Sequence, residues 1–144
     1  MSSWDACLVD GVDLATLGTV EDLSGLAIVA PVSNEPIQIP GRAGAVFVAG
    51  EYEGYSFPVP LLVAGADRGA VNEALDTLAA LVDTRAAPVT VTRRRSLGAA
   101  CHDETALCVV TAQLAPQLLG TTAARVVVEF FNLDGCWTFA GYHS

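Results

Sequence analysis

Nucleophilic, general-base or metal chemistry in this chain would have to be built from two histidines, His102 and His143, and four cysteines, Cys7, Cys101, Cys108 and Cys136. A hydrolytic nucleophile needs a Ser or Cys held beside a base. Neither histidine stands in a motif that supplies such a pair, and no G-x-S-x-G elbow occurs. Both are read as surface histidines. Cys101-His102 followed by Cys108 has the residue types of a metal site, but zinc sites favour C-x2-4-C pairs, and the sequence has none. Cys108 falls in phase with Val110 and Ala112, which predicts a buried apolar thiol. Bridges Cys101–Cys136 and Cys7–Cys136 stay open as pairings, with free thiols the expectation because the N-terminal residues do not read as a secretion signal. Gly41-Arg42-Ala43-Gly44 lacks the Lys and following Ser/Thr of a phosphate-binding loop. The carboxylate pairs Glu21-Asp22, Glu51/Glu53 and Asp103-Glu104 fall in turn-like segments and read as solvated charge. The sequence therefore predicts no catalytic centre, no cofactor and no metal site.

The elements that would position any site are mostly strands. Residues 5–14 read as a strand, an Asp10-Gly11 turn and a short return, since Asp-Gly supports tight hairpins. Residues 25–30, 45–49 and 89–92 are further strand candidates. In 55–64, Tyr55, Phe57, Val59, Leu61 and Val63 share one face, while Pro58 and Pro60 direct their missing N–H groups toward one neighbour and so predict a sheet edge or bulge. One helix is expected over 67–83, with Asp67 as N-cap and Val71, Leu75, Leu78 and Val82 as its packing stripe. Strands over 106–114 and 122–131 follow, and a last one surrounds Trp137 and Phe139. About eight short strands with one helix predict a mainly β fold, a β-sandwich flanked by a single α-helix. Residues 31–44, broken by Pro31, Pro36, Pro40, Gly41 and Gly44, are long for a connection and read as an arm.

Composition narrows the class. At 144 residues the chain suits one domain over 1–144. Its 52% hydrophobic residues and mean hydropathy of +0.46 exceed what one small core needs, which points to subunit interfaces. No run approaches the ~20 apolar residues of a spanning helix. The net charge is −9, and it is uneven. Residues 1–83 hold twelve acids against Arg42 and Arg68, whereas residues 84–144 hold four acids against five arginines. Such a chain should not grip nucleic acid, because phosphate contacts need clustered cations. Arg93-Arg94-Arg95 is the one basic run and reads as a solvated turn or as local salt-bridge partners.

The order of these parts resembles the N-terminal domain of the siphophage distal tail protein family. The resemblance rests on the arm leading into Ile37-Gln38-Ile39-Pro40-Gly41-Arg42-Ala43-Gly44, on the helix segment Glu73–Asp83 and on the late strand Arg125–Phe130. It covers roughly residues 5–138. It implies a phage tail-tube-like fold, a β-sandwich plus helix, that assembles as a homo-hexameric ring between the tail tube above and the tail-tip hub below, in a virion built in the bacterial cytoplasm. Many members add a C-terminal carbohydrate-binding domain, which is not expected here. Ala43 stands where the family often has an acid beside the arginine, so no local ion pair of Arg42 is carried over.

Two site expectations follow. The arm, through Pro36, Ile37, Ile39, Pro40, Gly41, Arg42 and Gly44, should reach a neighbouring subunit, with the glycines supplying conformations that side chains forbid. The acids of residues 1–83, Glu51 and Glu53 among them, should line a channel through which DNA passes unbound, since carboxylates repel phosphate. The rivals are a tail tube protein, a terminator or joining ring, and a monomeric module binding an apolar ligand.

Overall fold

The computed structural model describes residues 4–27, 32–33, 40–41, 51–52, 54–111 and 114–143. Eleven strands and one α-helix succeed one another among them: β1 (Ala6–Val9), β2 (Val12–Asp13), β3 (Thr19–Val20), β4 (Val32–Ser33), β5 (Glu51–Tyr52), β6 (Tyr55–Ala64), α1 (Arg68–Leu81), β7 (Val89–Leu97), β8 (Ala100–Val110), β9 (Gln117–Leu118), β10 (Ala123–Asn132) and β11 (Thr138–His143). Nine of the strands form one antiparallel sheet, and β4 pairs with β5 alone. The fold is mainly β with one helix, as the hydrophobic periodicity predicts.

The sheet runs β2-β1-β7-β8-β10-β6-β3 and curls on itself at β8. One side of β8 pairs with β7 along its length. The other side is shared: β10 takes Cys108–Val110, and β11 takes Cys101–Thr105. Two layers therefore diverge from one strand and face each other. Phe57, Val59, Leu61 and Val63 of β6 lie opposite Phe130, Val128, Val126 and Ala124 of β10, and all eight are buried. They meet Cys7, Val9, Val89, Val91, Ala106 and Cys108 of the other layer in one core. Period-two alternation thus supplies both walls of the sandwich.

Helix α1 packs on the inner face of β6 and β10. Asp67 caps it, its carboxylate accepting from the Ala70 N–H at 2.9 Å. Val71, Leu78 and Val82 are buried in the core, while Leu75 sits half-buried at its rim. Asp10 (φ 49) and Gly11 (φ 83) form the expected two-residue hairpin turn, both in the left-handed region that this turn requires. Pro58 and Pro60 fall where the sequence places them: β6 has β10 on one side and only the two-residue β3 on the other, and the Pro60 carbonyl accepts from Glu21 N–H on that open side at 2.9 Å.

One expectation is corrected here, and one pair of alternatives is decided. Residues 24–27 form a 3-10 turn rather than the start of a strand, because the Asp22 carboxylate accepts from both the amide (2.8 Å) and the hydroxyl (2.9 Å) of Ser24. Gly25 also lies so close to β6 that a Cβ would stand 2.4 Å from the Pro58 carbonyl oxygen. Of the two readings of Arg93-Arg94-Arg95, local salt-bridge partners holds for Arg93 and Arg94 and the turn does not: all three belong to β7, which runs on to Leu97 and turns back at Gly98-Ala99. Gly98 has φ +64, as the first position of a type II′ hairpin demands.

Candidate functional site

The β7–β8 hairpin aligns Arg93 with Glu104, Arg94 with Asp103 and Arg95 with His102. Alternation sends Arg94 and Asp103 to the outer face, where Arg94 Nε and Nη2 bond the two carboxylate oxygens at 2.8 and 3.0 Å. Arg93 and Glu104 point inward, on the face that carries Val89, Val91, Ala106 and Cys108. Their side chains are only 14% and 18% exposed. Arg93 donates through Nε (3.0 Å) and Nη2 to Glu104 Oε1, and through Nη1 to the Leu26 carbonyl. Its guanidinium lies between the chain's two tryptophans, 4.1 Å from the Trp4 ring centre and 4.5 Å from that of Trp137. Trp137 Nε1 donates to the Tyr55 hydroxyl at 2.8 Å. Glu104 Oε2 meets His102 Nε2 at 2.8 Å.

His102 is therefore buried, correcting the surface reading, and its ring packs against Trp4 and Phe139. Burial pushes the Glu104 carboxyl up, but the hydrogen bonds from His102 and Arg93, with their charge, outweigh it and lower its pKa. The sequence held a signal for this cluster: Gly98 as a hairpin pivot sets Arg93-Arg94-Arg95 opposite His102-Asp103-Glu104. What it offers is a cross-link, because each guanidinium nitrogen of Arg93 donates to an internal acceptor.

The four cysteines are unbridged. Cys7 and Cys108 are buried, and burial pushes both thiols up to about 12. Cys101 and Cys136 are half-buried. On the outer face a bidentate pair joins Arg125 to Glu21 at 2.7 and 3.1 Å, strapping β10 to the segment after β3. Hydrogen bonding by Arg125 lowers the pKa of Glu21.

The surface carries the surplus apolar residues. Among the described residues Val12, Leu97, Leu107, Leu118, Leu119, Val127, Leu133 and Phe139 are exposed large hydrophobics, with Phe139 at 52%. A groove of about 400 Å³ lies between α1, β10 and residues 114–116, floored by Leu75, Leu78, Leu114 and Val126 and edged by Asp76. The expected packing stripe thus fills the core at Val71, Leu78 and Val82, while Leu75 packs at the core's rim and, with Leu78 beneath it, lines the groove.

Of the expected arm, Pro40 and Gly41 are described: both are exposed in a turn, and Gly41 has φ +79. Pro36, Ile37, Ile39, Arg42 and Gly44 lie outside the described residues. So does Glu53, while Glu51 lies in β5. Among the described residues no helix is long and apolar enough to cross a membrane.

No family model and no curated protein matches the sequence. The fold has a solved counterpart in SPP1 Dit (gp 19.1), described as a paradigm of the hub adsorption apparatus in phages that infect Gram-positive bacteria. The two align with a TM-score of 0.61 at 18% identity, over 92% of this chain and 51% of that one. The chain thus spans about half the length of SPP1 Dit, and what it shares with that protein is the architecture of a curled β-sandwich with one helix.

Proposed function

We propose that this chain is a structural subunit of a siphophage tail, a distal tail protein whose copies close into a six-membered ring joining the tail tube to the tail-tip hub. The observation that carries this reading is the alignment of 92% of the chain with SPP1 Dit. Exposed Leu107, Leu133, Val127 and Phe139 support it, because a subunit with ring neighbours on two flanks and axial neighbours above and below must present apolar surface when alone. Acidity supports it as well. Carboxylates of residues 1–83, with Glu51 and Glu53 as candidates, would face a lumen from which they repel the phosphate backbone and let DNA slide. The role is structural and non-enzymatic, and it belongs to the virion tail.

The test is the mass of the purified chain by size-exclusion chromatography with light scattering. Six copies of a 14.9 kDa chain give a species of roughly 90 kDa. A single 14.9 kDa species across the accessible concentration range would overturn the ring.

A further inference from the structure

Six described arginines divide sharply by partner. Arg85, Arg93, Arg94 and Arg125 each hold a carboxylate, and Arg68 donates to the Gly120 carbonyl at 3.2 Å. Arg95 has no carboxylate among the described residues. Its Nε is buried without a hydrogen-bond partner, and its guanidinium carbon stands 5.0 Å from the Trp4 ring centre. Pairing of β1 with β7 ends at Arg94, so Arg95 and Leu97 lie on the part of the hairpin that extends past β1. Leu97 is 45% exposed, and across β8 Phe139, packed on the ring of His102, the residue paired with Arg95, is 52% exposed. An arginine backed by an aromatic ring and flanked by exposed apolar side chains has the make-up of an interface anchor.

The complementary feature is the α1 groove. Its floor is apolar through Leu75, Leu114 and Val126, and its edge carries Asp76, which has no cationic partner among the described residues. Arg95 and Leu97 sit by the first residue of β8, whereas Leu114 follows its last. β8 has eleven residues, and a rise of about 3.3 Å per residue separates its ends by roughly 30 Å. One subunit cannot bring its own hairpin tip to its own groove. Two copies can, and the contact joins unlike surfaces, as a closed ring requires.

We propose that the β7–β8 hairpin tip of one copy docks in the α1 groove of the next, Arg95 meeting Asp76 while Leu97 covers Leu75 and Leu114. This rests on the ring reading and assigns its subunit contact. Charge complementarity selects a second copy as the occupant: the chain carries sixteen acids against seven arginines, and the groove edge shows one of those acids to a cation that lacks its own.

Charge exchange in the full chain tests it. Arg95→Asp and Asp76→Arg should each shift the light-scattering mass from the assembled species to the 14.9 kDa monomer, with an unchanged circular dichroism spectrum. The double exchange should regain the assembled mass. Leu97→Glu, at an exposed position that the fold does not depend on, should give the monomer too. If wild type assembles and the folded single variants or Leu97→Glu assemble equally well, the docking is overturned and the ring stands. The same holds if the folded double variant stays monomeric. A wild type that never assembles overturns the ring reading itself.

Discussion

Arg93 ties together parts of the chain that are far apart in sequence: Trp4 before β1, the Leu26 turn, the β7–β8 hairpin and Trp137 before β11. A buried pair adds little over an apolar replacement, but breaking one partner leaves the other charge stranded. Arg93→Met should therefore destabilise the fold by about 3–5 kcal/mol in urea titrations, by stranding Glu104 and losing the guanidinium stack. Glu104 sets a pH dependence whose sign follows from its lowered pKa. Its contribution is complete above the ordinary glutamate value of 4.5 and is lost as pH falls through the lower folded value. Glu104→Gln should flatten the fall of the urea midpoint below about pH 4.5, and an unchanged slope would assign that fall to other carboxylates. Thiol reactivity gives a third check at this scale. In the folded monomer Cys101 and Cys136 should react with a maleimide while Cys7 and Cys108 stay protected, and all four should react in denaturant. Rapid native labelling of Cys7 would contradict the closed sandwich.

Among the elements, α1 separates the core from the groove. Leu78 is fully buried, so Leu78→Ala should cost about 3 kcal/mol, within the usual range for a core leucine truncation. Leu75 is half-buried on the groove, and Leu75→Ala should cost less than half as much in the same urea titration. Equal costs would mean that the groove is closed in solution. These two residues also mark the limit of reading from periodicity. The spacing of Val71, Leu75, Leu78 and Val82 identifies a helix and its apolar side, yet it cannot tell a residue facing a sealed core from one facing a groove. Strands β6 and β10 were legible because they alternate along their full length, and the Asp10-Gly11 turn because its backbone demands few other residue types. The 3-10 turn at 24–27 was not, since Gly-Leu-Ala reads as an apolar strand until Asp22 and the nearby Pro58 carbonyl are in place. His102 misled for a related reason. A histidine beside acids looks solvated, and only the register at Gly98 shows that Glu104 and His102 turn inward beneath Trp4.

For the whole molecule, composition and fold agree on a division of surfaces. The core is filled from the inner face of one curled sheet and one side of α1, and apolar residues such as Leu97, Leu107, Leu133 and Phe139 are left over outside. Negative charge is concentrated in residues 1–83, while two cations of the hairpin and Arg125 are neutralised internally by Glu104, Asp103 and Glu21. In the ring proposed above, the apolar residues would be shared with neighbours and the acids would face a DNA path. Electron microscopy of the purified chain tests that claim most directly, because it reads symmetry and the central opening together. The expected result is a population of closed rings with sixfold symmetry and an open axial channel. Isolated single-subunit particles, or compact twofold dimers without a channel, would contradict it.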